Sequence, residues 1–580
     1  MIALELDLRK GHIHRVGVSL RFTPQHPRLG LALPRWTPGS YLLREYVGHL
    51  EGLVVSQGGV PLAPRRTTPF AWQLELSELA PLEISYAIQA TELSVRTAHL
   101  TDEHAFLPLA AVVLAIDGER WTPHQLRLVL PDHWQGFVPL PHQADGSWLA
   151  TDFDQLIDSP VEAGPHPSHA FSVAGVPHQW VTWGDDLPGQ DPRWLADVEA
   201  VCLACCRLLA EPQPAASHYL FVLHLTEQGY GGLEHDASTV LQFGRRTLCR
   251  PEGRRKLLQL VAHEYLHQWN VRRLRPAELA PIEYGDAVVV PTLWFAEGVT
   301  SYLDQLLPYA AGCCSAEQVI ADLGDDLNRY LLSQGRQVQS LLSSSEEAWV
   351  KLYRPHAHAA SQQISYYLKG AVLALVLDLH LRRHGSWIGA VLQALWRSHG
   401  RCRRGYSQAD LLAMFSASAP DLGTLLPHWL SSTEDPPLEP LLADVGLQLT
   451  PVMGKGPHLG CQFDVRSCGG LWISRCERNG PAQRSGLQVG DECLALDGER
   501  IRTLEDLQVL LAGTTTGQHP AGQNPPQRDV LISRDGRLRQ LTLQPDAPAV
   551  ERWSLAAVPQ ASSEVVARRE AWLALRPPCA

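Results

Sequence analysis

Val261 to Asn270 reads V-A-H-E-Y-L-H-Q-W-N, and the rest of the chain is organised around it. His263 and His267 stand four residues apart, which on a helix puts both imidazoles on one face, one turn apart. Two neutral ring nitrogens so placed grip one zinc ion from the same side. Glu264, next to the first histidine, stands where a carboxylate that activates a metal-bound water belongs. A chance H-E-x-x-H in a chain of this composition has a probability on the order of a few per cent. The surroundings favour a buried helix. Leu257, Leu258, Leu260 and Val261 precede the motif, Leu266 lies inside it, and nothing from Lys256 to Asn270 breaks a helix.

The chain has 580 residues, 45% of them hydrophobic, which suits two to four domains with real cores. A net charge of -12 and only short basic clusters exclude nucleic acid as an expected partner. The opening Met1-Ile-Ala-Leu-Glu-Leu-Asp-Leu-Arg-Lys lacks a basic start followed by an apolar run, so no signal peptide is expected. No run of 18 or more apolar residues occurs, so no membrane span is expected either. The 12 cysteines have no regular framework and read as reduced thiols of a cytoplasmic protein. Cys202, Cys205 and Cys206 fall within the apolar helical pattern Trp194–Leu209, where packing explains them better than a metal clip.

From residue 1 to about 168 the pattern is β. Ile2, Leu4, Leu6 and Leu8 alternate with other residues, as do Val16, Val18, Leu20 and Phe22. Ala71–Leu76, Leu82–Ile88 and Leu126–Leu130 are further strands, and such a run without helices favours an antiparallel β-sandwich. Leu33 to Tyr46, L-P-R-W-T-P-G-S-Y-L-L-R-E-Y, reads as a Pro-Gly turn between aromatic anchors.

Beyond residue 169 the character changes. Tyr219–Leu225 is a strand leading to the glycine-rich Gly229-Tyr-Gly-Gly-Leu-Glu-His235. Helical patterns follow at Arg254–Asn270, Thr292–Leu307, Ala316–Leu342, Gln363–His384 and Trp387–His399. Ser407 and Asp410 form a capping box. Pro436-Pro437 and the turn-rich run to Gly456 mark a boundary. Short strands, a helix near Leu504–Leu511 and an Arg534-Asp-Gly-Arg537 hairpin occupy Leu459–Leu543, with a Gly/Pro/Gln loop at Gly513–Pro526. The tail is mixed, with one helix at Ser562–Leu573.

A hydrolytic zinc site needs a third protein ligand and an open position for water. Glu297, in Leu293-Trp-Phe-Ala-Glu-Gly-Val-Thr-Ser-Tyr-Leu-Asp304, is the best candidate, because an unpaired carboxylate in an apolar helix is costly. Glu283 and Asp286 are rivals in an apparent loop. Asp304, two turns after Glu297, could accept the outer N–H of a zinc-bound histidine, or could lie on a solvated face.

H-E-Y-L-H-Q-W-N-V-R-R-L-R-P, W-F-A-E-G-V-T-S-Y, G-G-L-E-H and W-T-P-G-S-Y together resemble the M61 glycyl aminopeptidase family of gluzincin metallopeptidases. The likeness implies a multidomain α+β chain: a β-sandwich at 1–168, a mainly helical thermolysin-like zinc peptidase domain at 169–450, a PDZ domain at 451–546 and a tail at 547–580. It implies one zinc ion held by His263, His267 and Glu297. By likeness to the G-x-M-E-N strand of M1 aminopeptidases, Glu234 would bind the substrate's free amine. Gly231 and Gly232 would let a peptide backbone approach closely. Tyr366-Tyr-Leu-Lys-Gly370 resembles the M1 oxyanion stretch and its register selects Tyr367, with Tyr366 the alternative.

Asn479-Gly-Pro-Ala to Asp497-Gly498 resembles a bacterial PDZ pattern, whose partners are chain termini added as a strand, with a carboxylate loop near His458–Cys461. A purely structural role is the alternative. The resulting expectation is a zinc aminopeptidase acting on peptides with a free N-terminus and preferring Gly or Ala. Its alternatives are a zinc endopeptidase and a PDZ scaffold with a vestigial metal site.

Overall fold

The structure, a computed structural model, describes residues 1–466, 469–512 and 525–578, so most of the loop read at Gly513–Pro526 lies outside the described residues. The chain divides into two compact units. The first comprises Met1–Val290, Leu303–Ser315 and Gly389–Met414, and the second Pro291–Tyr302, Ala316–Ile388 and Phe415–Ala580.

The first unit opens with the β-rich N-terminal domain. Its seven-stranded sheet includes Ile2–Asp7, Arg15–Phe22, Leu82–Gln89 and His124–Val129. Alternation in the sequence becomes alternation in burial: Ile2, Leu4 and Leu6 are buried and Ala3 and Glu5 exposed. Five-stranded and four-stranded sheets complete the domain around one apolar core. Each aliphatic side chain fully buried there contributes roughly 1.5–3 kcal/mol. One pairing is parallel, Ile2–Asp7 with His124–Val129, because strands so distant in sequence need no hairpin to join them.

The same unit holds a second five-stranded sheet, ordered Ser168–Val173, Val176–Trp183, Tyr219–Thr226, Ser238–Gly244, Tyr230–Glu234. Its central strand Tyr219–Thr226 is apolar almost throughout and buried along nearly its full length, as a strand covered on both faces must be. Tyr230–Glu234 pairs antiparallel with Ser238–Gly244 and forms the edge. The helix Gly253–Leu266 packs on this sheet through Tyr265, whose ring stacks on Phe221 at 5.7 Å and whose hydroxyl lies 2.9 Å from His178 Nε2. Cys202, Cys205 and Cys206 are buried in the helix Trp194–Leu208, and burial pushes the Cys206 thiol up to about 12.

In the second unit the helix expected over Ala316–Leu342 stops at Leu332. Gly335 follows, where a β-carbon would overlap the Gln363 carbonyl, so the chain turns to meet that backbone. The helix Tyr366–Arg383 lies at the core of the unit. The stretch that resembles a PDZ domain forms a six-stranded sheet with its own apolar core around Ile473, Leu496 and Ile532. Within this unit Arg478 N donates to Gln334 Oε1 at 2.7 Å. The presumed boundary before it carries a helix, Leu438–Asp444, and a strand, Leu447–Met453. That strand pairs with Val550–Ala557 of the tail. The helix Ser563–Leu573 follows, capped by Ser562, and Trp572 Nε1 donates at 2.7 Å to the Tyr302 hydroxyl, which itself donates to Asp378 Oδ2 at 2.7 Å.

Candidate metallopeptidase site

The motif helix ends at Leu266, earlier than its apolar pattern suggests, with His267 as its C-cap. The cause is local. His267 Nδ1 lies 2.5 Å from the Asn270 carbonyl, which pulls the following residues into a turn. His263 Nδ1 lies 2.8 Å from Asp304 Oδ2. With Nδ1–H of each ring donating to an oxygen, the tautomer is fixed and Nε2 is the nitrogen that could take a metal ion. The rings stand 4.7 Å apart. This donor set fits a metal ion of the zinc type.

Three acidic residues lie in the first unit at or near the histidines. Asp304 is the outer partner just described. Glu264 and Glu234 are both buried, and each offers an oxygen that, with a ring nitrogen of His267, forms a group whose atoms lie within 4.8 Å of one another. Gly232 explains how the edge strand comes so near the helix: a β-carbon there would overlap the Glu264 carboxylate. Gly231 has no such neighbour, so the two glycines are not equivalent.

The residues after Glu234 are locked in place by ion pairs that sequence reasoning did not find. His235 Nδ1 lies 3.1 Å from Asp158 Oδ1, and Asp236 N donates to Asp158 Oδ2 at 2.8 Å. Arg272 bridges Asp158 at 2.7 Å and Asp236 at 3.0 Å, and Arg403 reaches Asp236 at 2.6 Å. Burial alone would raise the Asp236 carboxyl, but Arg272, Arg273 and Arg403 hold it well below its ordinary value. The arginines of V-R-R-L-R thus anchor the end of the strand that carries Glu234.

Glu297 lies in the second unit, in a π-helical turn Trp294–Val299 that runs directly into the helix Thr300–Ala310. It is 2% exposed among apolar neighbours. Along this continuous helix it precedes Asp304, the partner of His263, by two turns. The π turn packs on the helix Tyr366–Arg383 through paired glycines: a β-carbon on Gly298 would lie 2.5 Å from Gly370 Cα. Such widened turns concentrate at functional sites.

Tyr367 is half-buried, whereas Tyr366 is fully buried. A tyrosine absent from the sequence reading, Tyr353, places its hydroxyl 3.1 Å from that of Tyr367 and 3.4 Å from that of Tyr366. Nothing in Lys351-Leu-Tyr-Arg-Pro355 signals this role. Lys369 is buried, with Nζ donating to the Arg336 carbonyl at 3.3 Å, and burial pushes its ammonium down to about 8. Asp286 and Glu283 are exposed, and Asp286 pairs with Arg35 at 3.2 Å, so neither competes as a ligand.

Three stretches of the chain match known families. Residues 3–165 match the peptidase M61 N-terminal domain, residues 256–373 the M61 glycyl aminopeptidase and residues 472–519 a PDZ domain. Comparison with curated protein sequences finds no match. Among solved structures, an aminopeptidase N family protein from Idiomarina loihiensis superposes with a TM-score of 0.90 at 27% identity, covering 99% of this chain and 100% of that one. Yeast LTA4 hydrolase in complex with bestatin is a looser likeness, with a TM-score of 0.48 at 14% identity over 77% of this chain and 69% of that one. With N-terminal, peptidase and PDZ domains in this order, the chain belongs to the M61 glycyl aminopeptidase family and is a metallopeptidase.

Proposed function

We propose that the protein is a zinc aminopeptidase that removes one small residue, Gly or Ala, from the free N-terminus of a peptide. The observation that carries this reading is the Glu234 carboxylate, buried at the end of an edge strand within 4.8 Å of Glu264 and His267 donor atoms. An enzyme that counts one residue from the end must recognise an ammonium group at a fixed distance from the reacting carbonyl. A carboxylate beside the metal ligands does this and a cation cannot.

His263 and His267, through Nε2, and Glu297 would hold the ion. Zinc, when bound, supplies a Lewis acid that lowers the pKa of water to about 7 and polarises the scissile carbonyl. The other steps belong to the chain's own residues. The edge strand Tyr230–Glu234 takes the peptide backbone alongside it by strand addition, and Gly231 leaves open space for it. Glu264 accepts the proton of the attacking water on its carboxylate and delivers it to the departing amine nitrogen. Tyr367 donates its hydroxyl hydrogen to the oxygen on which charge develops. Asp304 keeps His263 in its coordinating tautomer. The edge strand Cys461–Val465 of the PDZ sheet would take a chain terminus in the same manner. A cytoplasmic setting for this activity rests on cysteine usage in the sequence. The stretch 359–383 is long and apolar enough to cross a bilayer, but 83% of its most apolar 18-residue window is buried, so it serves here as a core helix.

The test uses Gly-, Ala- and Leu-arylamides beside N-acetyl-Ala-arylamide, with and without a chelator. Free-amine Gly and Ala substrates should be cleaved and the blocked one ignored, with one zinc per chain. Glu264→Gln should keep zinc and lose turnover, and Glu297→Ala should lose zinc. Equal rates on blocked and free substrates would sink the aminopeptidase reading.

A further inference from the structure

The turn Thr37-Pro-Gly-Ser40 of the N-terminal domain lies against the proposed amine site. Gly39 has φ +88°, and a β-carbon added there would stand 2.5 and 2.6 Å from the two Glu234 carboxylate oxygens. Its Cα is therefore within about 4 Å of that carboxylate. Only glycine tolerates both the backbone conformation and the approach.

Two buried polar atoms, one on Glu234 itself and one on the residue that follows Gly39, are unsatisfied. Glu234 Oε1 is buried and finds no hydrogen-bond partner among the described residues. The same holds for Oγ of Ser40, a residue with no exposed surface. Buried acceptors of this kind are costly to leave alone. An ammonium group carries three donors and can satisfy several acceptors at once.

The turn is held rigidly. Ser40 N donates to the Thr37 carbonyl at 3.1 Å and Leu42 N to the Ser40 carbonyl at 2.8 Å. Trp36 Nε1 donates to the Glu283 carbonyl at 2.8 Å, and Arg35 N to the Tyr284 carbonyl at 2.9 Å. Trp36 and Tyr41, on either side of the turn, are buried.

We propose that the N-terminal domain completes the amine subsite: Gly39 closes its far end against Glu234, and Ser40 Oγ gives the substrate ammonium a second acceptor. The ligand class is a peptide with an unblocked N-terminal ammonium, and the wall at Gly39 leaves no room for chain or acyl group beyond it. The β domain thereby helps to enforce removal of a single residue. This inference rests on the aminopeptidase reading, and two independent arms separate them.

The first arm measures wild-type protein on Ala-arylamide and N-acetyl-Ala-arylamide, which tests the aminopeptidase reading alone. The second compares Ser40→Ala, Gly39→Ala, Glu234→Ala and the double variant Gly39→Ala/Glu234→Ala in the full-length zinc-loaded protein. Ser40→Ala adds no strain and should lower kcat/KM for Ala-arylamide about ten-fold or more, the cost of one hydrogen bond to a charged group. Its zinc content and thermal midpoint should not change. Gly39→Ala should lose about as much as Glu234→Ala, and the double variant no more than Glu234→Ala, because both act on one subsite. If the wild type requires a free amine while Ser40→Ala keeps full kcat/KM, or if the two losses in the double variant multiply, the N-terminal domain has no part in the subsite. If the wild type accepts blocked and free substrates alike, the aminopeptidase reading itself fails.

Discussion

Replacing Gly298 by alanine tests how tightly the helix bearing Glu297 is set. The added β-carbon would lie 2.5 Å from Gly370 Cα and 2.6 Å from Gly370 C, where an ordinary carbon contact is about 3.5–4.0 Å. Both obstacles are backbone atoms, so no side chain can swing away and the helices must part by about 1 Å. Overpacking of this kind costs about 1–3 kcal/mol, whereas alanine gains about 1 kcal/mol over glycine in a helix. The rigid contact puts the cost at its upper end, so the variant should be less stable by about 1–2 kcal/mol. Because Glu297 is the adjacent residue, a 1 Å displacement should also lower kcat/KM by about 100-fold. Urea unfolding followed by tryptophan fluorescence measures the first effect, and steady-state kinetics on Ala-arylamide the second, with zinc retention against a graded chelator reporting the displacement of Glu297. Gly48→Ala, at a glycine with no atom near its missing β-carbon, is the control. A Gly298→Ala protein with a raised unfolding midpoint and unchanged zinc retention would refute the tight crossing.

Three further outcomes follow. Asp304→Ala removes the oxygen 2.8 Å from His263 Nδ1 and should weaken zinc binding about 10- to 100-fold, read by competition with a chromophoric chelator; unchanged affinity would show Asp304 to be a surface residue. Tyr367→Phe should cost about 100- to 1,000-fold in turnover and Tyr353→Phe, which only steadies that hydroxyl at 3.1 Å, about two- to ten-fold. A larger loss in Tyr366→Phe than in Tyr367→Phe would show the register to be off by one. Burial pushes His124 and His178 down to about 4, so both stay neutral in the fold while the unfolded chain takes up protons below about pH 6.5. Their stabilisation is complete above that pH and is lost as pH falls toward 4, on the order of 3 kcal/mol each. His178→Gln should flatten the slope of unfolding free energy between pH 6.5 and 4, and an unaltered slope would remove His178 from the account.

How much could be read from the sequence depended on whether a residue's reason lay nearby in the chain. The N-terminal strands were legible because Ile2, Leu4 and Leu6 point to one core, and the motif helix because its leucines precede His263 in helical order. The strand Val176–Trp183 was missed because His178 and Thr182 are buried polar residues that break the apolar pattern. The paired strands Leu447–Met453 and Val550–Ala557 were missed for a different reason. Pro451 reads as a turn, and only Leu555 of the second strand is buried, so there is no alternation to detect. At the site, His263, His267 and Glu264 announce themselves by spacing. Glu234 needed the family resemblance, because one acidic residue after two glycines is not distinctive. The Arg272–Asp158–Asp236 network and Tyr353 were invisible, since their partners are distant in sequence.

The bond from Trp572 to Tyr302 also sets a schedule for biosynthesis. Tyr302 sits in the helix that continues the π turn carrying Glu297, and its hydroxyl spans Trp572 and Asp378. Trp572 leaves the ribosome about 270 residues after Tyr302, which at five to twenty residues per second is roughly 14 to 54 s. Throughout that interval the Tyr302 hydroxyl is without its indole partner, and the strand Val550–Ala557 has yet to pair with Leu447–Met453. The nascent chain therefore carries a helix whose packing is unfinished until the tail arrives. A peptidase built this way acquires the full packing of that helix only after residues 550–573 have been made.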